Sequence, residues 1–318
     1  MEKMMIFRKI ILAVLVLCGN QINLIASSLP ISSDSPIVIT YELGSRFGDN
    51  LLCYLHAKWL SYHYKLPLLY VPFPHSDQLA LHTKEKRLDT GIVPFLNKIK
   101  FVSGTDINSL PHNTLLTVPY FVECPEYTIL RPHFKKCYFK VEWKNRTFRK
   151  LINEMVAPSP ALPLVYPPKG KLSIAIHVRD GGSFDNTAMK KDNFLKFPSY
   201  QFYLEALEVI LNKNLKKPIY IYLFTDAIHP QKIKDRFQAY FKDYNHIEFG
   251  CTPAQAGDKQ LLIDFFSMLN FDCLIRGESN FSTVVSKLKD FKILITPKYQ
   301  MGDNKNFTIS GLKIEKNS

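Results

Sequence analysis

Residues 169–296 switch repeatedly between two hydrophobic periods, and this switching constrains the fold more than any other feature of the chain. Residues 172–178, 219–224, 247–249, 273–275 and 293–295 are short apolar runs with strand composition. Between them, residues 200–213, 230–241, 259–269 and 281–289 carry apolar side chains at helical spacing. Strands alternating with helices of this length predict a parallel sheet with helices on both faces. An earlier stretch begins the same way. Residues 37–41 read as a buried strand, followed by Gly44-Ser45-Arg46-Phe47-Gly48-Asp49-Asn50. Leu51, Leu55, Trp59 and Tyr62 then predict a helix that Asp49 or Asn50 can cap, and 68–71 a second strand. Prolines 158, 160, 163, 167 and 168 exclude a helix interior or a central strand and mark a linker. The expected organisation is a domain over 36–157, a linker over 158–168, a domain over 169–296 and a polar tail over 297–318 that packs back on either domain. A length of 318 residues fits about two domains.

Hydrophobic residues make up 46% and charged residues 22%, which excludes whole-chain disorder, collagen and coiled coil. Residues 1–26 have a basic start (Lys3, Arg8, Lys9), an apolar run from Ile10 to Cys18 and a small-residue end, the pattern of a signal peptide. An uncleaved membrane anchor over 10–26 is the alternative, and either directs the chain to the secretory pathway. This segment carries three positive charges and one negative, so of the net +13 a charge of +11 belongs to the remainder. Such an excess favours anionic partners. Cysteines 18, 53, 124, 137, 251 and 273 include no Cys-x-x-Cys pair, which argues against zinc. Cys124 and Cys137 form a bridge or stay as free thiols. Asn145, Asn280 and Asn306 begin glycosylation sequons.

Open parallel sheets bind ligands at the carboxyl ends of their strands. After the first strand of the second domain comes His177-Val178-Arg179-Asp180-Gly181-Gly182. Arg179 at such an end can meet a diphosphate with its planar fork; the bland alternative is an ion pair with Asp180 or Asp185 and a core His177. Asp226, after the next strand, can bind a sugar hydroxyl or cap the following helix. Ser279, Asn280, Phe281 and Ser282 lead from a strand into a helix whose amide end favours an anion; plain capping is the alternative. Asp264 lies among apolar residues, where burial demands a partner, unless it faces solvent. The stretch Lys135 to Lys150 interleaves basic and aromatic residues, a pattern that binds nucleic acid or packs its aromatics on the core. The secretion signal argues against nucleic acid.

These segments match one family in content and order. Ile174 to Gly182 resembles the His-x-Arg segment of α-1,2-, α-1,6- and protein O-fucosyltransferases. Tyr222-Leu223-Phe224-Thr225-Asp226 resembles the strand end that follows it in the α-1,2 group. Asp264 to Ser282 is similar to their third motif, and Gly44 to Tyr54 to their amino-terminal glycine loop and helix. The resemblance implies an α/β fold of GT-B type, two Rossmann-like domains facing a cleft. It implies fucose transfer from GDP-fucose to a glycan acceptor with inversion and without metal or cofactor. By this resemblance Arg179 neutralises the departing diphosphate and His177 supports the donor. Asp264 reads guanine, Ser279 and Ser282 contact phosphate or ribose, and Gly48 and Asn50 close the cleft. Asp180, Gly182 and Ala227 depart from the α-1,2 pattern. They leave open another nucleotide sugar, or a non-catalytic carbohydrate- or surface-binding protein on the same scaffold. Asp49, Asp185 and Glu42 are the candidates for a general base.

Overall fold

The computed structural model describes residues 37–121 except 90 and 92, 139–181, and 196–317 except 215, 216, 255, 256 and 302–306. The expectations for residues 1–35, Cys124, Cys137, Gly182, Asp185 and Asn306 fall outside this set, as do those for Lys135 and Lys136.

The first part contains β1 (Val38–Tyr41), α1 (Phe47–Tyr64), β2 (Leu69–Tyr70), α2 (Leu81–Lys84), β3 (Lys86–Arg87), β4 (Asn97–Lys100), β5 (Thr114–Val118) and α3 (Arg146–Val156). β1, β5 and β4 pair in parallel in that order. β2 pairs in parallel with β3, and a parallel bridge from Ile39 to Leu68 ties that pair to β1. Helix α1 starts at Phe47, with Arg46 at the N-cap and no capping side chain. Asp49 and Asn50 therefore sit inside its first turn rather than capping it. Its other end is closed by Lys65 in the left-handed region, whose N–H reaches Ser61.

The second part contains β6 (Leu172–Val178), α4 (Tyr200–Leu211), β7 (Ile219–Thr225), α5 (Pro230–Tyr240), β8 (Ile247–Cys251), α6 (Gly257–Met268), β9 (Cys273–Arg276), α7 (Asn280–Leu288), β10 (Ile293–Met301) and β11 (Phe307–Lys316). Among the described residues these strands form a six-stranded sheet in the order β11-β10-β9-β6-β7-β8. All pairings are parallel except β10 with β11. The expected tail is thus mostly an antiparallel edge strand, because Ile309, Leu312 and Ile314 give it a sheet pattern the polar composition obscures.

The period-two alternation of the strands decides the layers. Ile174, Ile176, Ile219, Ile221, Leu223 and Ile275 face α4 and α5 in one buried cluster. Ala175, Tyr222, Phe224 and Leu274 face the other way, toward α6 and α7. That second cluster continues without a break into Leu51, Tyr54 and Leu55 of α1 and Phe148 and Ile152 of α3. Helices cover both faces, and α1 lies against α7. The proline-rich stretch has no regular element apart from a bridge at Pro158. Val165 fastens it to α6, accepting from Asn270 at 3.0 Å and donating to Ser267 Oγ at 2.8 Å. Among the described residues no helix is long and apolar enough to cross a membrane.

Candidate functional site

The order of the parallel strands reverses direction beside β6. From β6 the chain runs outward through β7 and β8, then returns to place β9 and β10 on the other side. A crevice opens at such a switch point, outside the carboxyl ends of the two central strands. Those ends carry His177 and Arg179 on β6 and Arg276 on β9, with His177 and Arg276 in register.

His177 is buried (4% exposed) and its Nδ1 has no hydrogen-bond partner. Its ring packs against Phe281, centroid to centroid 5.4 Å. Burial, aided by the charges of Arg179 and Arg276, lowers its pKa to about 4 although Asp226 opposes the shift. The imidazole is neutral at physiological pH.

Arg179 pairs with Asp226, across the gap to β7. The other Asp226 oxygen accepts from the backbone N–H of Asp180 at 2.7 Å and of Gly181 at 3.1 Å. Gly181 has φ of +89°, a conformation glycine adopts without penalty. One carboxylate therefore holds both the guanidinium and the turn behind it. Asp226 does not cap α5, whose N-cap is His229. It also has no oxygen left over for a sugar hydroxyl without sharing one of these bonds.

Arg276 places a guanidinium against α7. Its Nη1 donates to Gly277 O at 2.8 Å and to Thr283 Oγ1, in the first turn of α7, at 2.9 Å; Glu278 lies 3.3 Å away. It is 7% exposed, and its Nε is buried without a partner. The strand end at Arg276 lies just before the Gly277–Ser282 turn singled out from the sequence. The signal was present: an arginine ending an apolar strand at the same register as His177.

Ser279 is the N-cap of α7 but makes no side-chain capping bond. Ser282 Oγ donates back to Ser279 O at 3.3 Å, so that hydroxyl serves its own turn. Asn280 Nδ2 donates to Asp49 Oδ1 at 2.7 Å and to Tyr120 Oη at 3.1 Å. Phe281 meets Phe47 and Phe265 as well as His177. Gly48 faces this turn so closely that a Cβ would lie 2.5 Å from Phe281 N. Asn50 is buried, with Oδ1 unpartnered. The structure thus brings Gly48, Asn280, Phe281, His177 and Arg276 together around the front of α7.

Asp264 is buried, not solvent-facing. It accepts from Thr252 Oγ1 at 3.0 Å and Gln260 Nε2 at 2.7 Å, and burial raises its pKa to about 7. Of the general-base candidates, Asp49 is held by Ser45 and Asn280, and Glu42 by Lys100 and the Tyr120 N–H. Both are structural here. Cys53, Cys251 and Cys273 are free thiols.

No protein-family model and no curated protein matches the sequence. Solved structures do. An arginine-to-lysine mutant of FUT1 from Arabidopsis thaliana, in complex with GDP, is 12% identical with a TM-score of 0.51, over 87% of this chain and 74% of that one. POFUT1 in complex with GDP-fucose is 11% identical (TM-score 0.44; 83% and 96% covered). The fucosyltransferase NodZ from Bradyrhizobium is 15% identical (TM-score 0.44; 89% and 99% covered). These three neighbours are fucosyltransferases, and with FUT1 this chain shares a mixed α/β fold of GT-B type built on parallel sheets.

Proposed function

We propose that the chain is a glycosyltransferase that moves fucose from GDP-fucose to a glycan acceptor, with inversion and without a metal. The observation that carries this reading is the meeting of His177, Arg276 and the first turn of α7 at the switch point, with Arg179 beside them at the end of β6. Structural likeness to a fucosyltransferase in complex with GDP supports it. The division into domains over 36–157 and 169–296, and a signal segment over 1–26 leading to the secretory pathway, belong to the same reading.

In this reaction the C1–O bond to the β-phosphate breaks and its electron pair leaves with GDP. The acceptor oxygen bonds C1 from the opposite face, and its proton passes to water or a base. Negative charge grows on the diphosphate as the bond lengthens. Fixed donors aimed at that charge lower the barrier because they need no rearrangement as it forms. Arg276 and the α7 amides supply such donors on the β9 side. Arg179 supplies them on the β7 side, where Asp226 fixes its direction. Neutral His177 offers an acceptor to a sugar hydroxyl. Asp264 stands near the ends of β7 and β8, where the guanine of the donor would lie.

A second reading, a carbohydrate-binding protein without catalysis, draws on the same Arg179–Asp226 pair, which ties Nη1 of the guanidinium to a carboxylate. A donor panel separates the two. Release of GDP from GDP-fucose in EDTA, exceeding release of UDP and ADP from their sugars, is the expected result. Glycan binding with no nucleotide released from any donor overturns the transferase reading.

A further inference from the structure

We propose that His75 is the general base of the transfer, the group that takes the proton from the acceptor hydroxyl as its oxygen attacks the sugar, a role that rests on the transferase reading. Asp49 and Glu42, two carboxylates considered for that role, are engaged within the fold. Inversion requires the base on the sugar face opposite the departing diphosphate. With the diphosphate held between β6, β9 and the front of α7, a group from the first part of the chain, which meets α7 from across, can serve that face.

The backbone singles out His75. Phe73 O accepts from the Ser76 N–H at 3.0 Å, closing a four-residue turn with Pro74 and His75 at its centre. His75 has φ of +67° and ψ of 0°, the conformation of the third residue of a type II turn, where glycine or asparagine is usual. The turn is locked from outside, because Ser76 Oγ accepts from the Phe73 N–H at 2.9 Å and from the Tyr70 hydroxyl. Side chains held in the left-handed region by such bonds cluster at active sites. Position agrees with this. The Ile39–Leu68 bridge makes β2 parallel to β1, so the turn after β2 lies at the same end of the sheet as the start of α1. The His75 ring meets Phe47 edge-on with centroids 6.2 Å apart; Phe47 meets Phe281 at 6.3 Å, and Phe281 meets His177 at 5.4 Å. Phe47 is thus the one ring between His75 and the front of α7. Among the described residues no group hydrogen-bonds the ring nitrogens of His75, which is partly exposed. His82, seven residues on, is instead engaged by Tyr70 and Arg87, and His177 is buried. Histidine is the side chain most often used for this kind of proton transfer.

In the step, the acceptor O–H bond breaks, its proton goes to a ring nitrogen of His75, and its electron pair forms the bond to C1. The bond from C1 to the β-phosphate oxygen breaks with its pair on GDP, and the imidazolium returns its proton to water. The test follows GDP release from GDP-fucose in EDTA, with water as the acceptor and again with lactose and chitotetraose added. Wild type, His75→Gly and His75→Asn are compared, with Tm and GDP affinity recorded for each. Glycine and asparagine both suit the left-handed backbone, so both variants should melt at or above the wild-type Tm and bind GDP as the wild type does. Release should fall about a hundredfold or more in both, and imidazole in solution should restore part of it in His75→Gly. GDP release at the wild-type rate in His75→Gly overturns the proposal and leaves the transferase reading intact. So does a slow His75→Gly that imidazole fails to restore, or one whose Tm and GDP affinity fall along with its rate. A wild type that releases no GDP under any of these conditions removes the transferase reading and this role with it.

Discussion

The carboxamide of Asn280 donates a 2.7 Å hydrogen bond to Asp49 Oδ1, joining the first turn of α7 to the first turn of α1. Both groups are buried. Ser45 holds the other carboxylate oxygen at 2.6 Å. The helix that fronts the crevice is therefore positioned by a helix from the far end of the sequence.

This contact predicts that the Asn280-Phe281-Ser282 sequon stays unmodified. A glycan on Nδ2 would replace the Asp49 and Tyr120 bonds and would need space that Gly48 and α1 already fill. Protein secreted from a glycosylating host should show Asn280 bare in peptide mass spectra. A folded, soluble product with a glycan on Asn280 would contradict the α1–α7 interlock.

Gly48→Ala tests the same interface sterically. The added Cβ would meet backbone atoms of Phe281 and Asn280 at 2.5–2.9 Å, which no rotamer change relieves. Overpacking of this kind destabilises by about 1–3 kcal/mol. The expected result is a drop of several degrees in Tm with weakened GDP binding. An unchanged Tm would mean the helices do not approach this closely.

Asp226→Ala removes one carboxylate that serves Arg179 and two backbone N–H groups. The pair is only partly shielded from water, so the loss should be about 2 kcal/mol, below that of a fully buried pair. Asp226→Asn keeps an acceptor for the turn but not the charge, and should recover part of the stability and little of the donor affinity. Equal GDP affinity in Asp226→Asn and the wild type would deny that Asp226 aims Arg179.

The pH dependence sets two buried groups against each other. Burial lifts Asp264 from 3.8 to about 7, so the fold binds that proton before the unfolded chain does. Its contribution is fully present below pH 3.8 and lost as pH rises through 7. Burial lowers His177 from 6.5 to about 4, so the unfolded chain binds that proton first, and stability is lost as pH falls from 6.5 to 4. The two slopes oppose each other between pH 6.5 and 4. Asp264→Asn removes one of them. Its Tm should exceed the wild-type value at pH 8 and fall more steeply on acidification. Parallel melting profiles for the two proteins would refute this balance.

The sequence disclosed the second sheet well because each strand there is a short β-branched run bounded by turns, and each helix shows its period. The 172–178 strand was legible to the residue. The start of α1 was not, because Phe47 and Gly48 carry no helix signal; packing against α7 extends the helix past Asp49. Strand β11 was hidden by polar residues, which an edge strand tolerates on its solvent face. Among the candidate residues, Arg179 pairs with Asp226, a residue 47 positions away that only strand order brings near. The same strand order sets Arg276 in register with His177 and in contact with α7.

The central claim is that cations at the ends of β6 and β9 grip a pyrophosphate at the front of α7. Calorimetric titration of GDP in EDTA tests it most directly, with Arg179→Ala, Arg276→Gln and, as a control, Lys298→Ala on the exposed edge of β10. The account predicts metal-free binding by the wild type and the control, and a loss of about tenfold or more in each arginine variant. GDP that fails to bind the wild type, or that binds both arginine variants as tightly as the control, would contradict it.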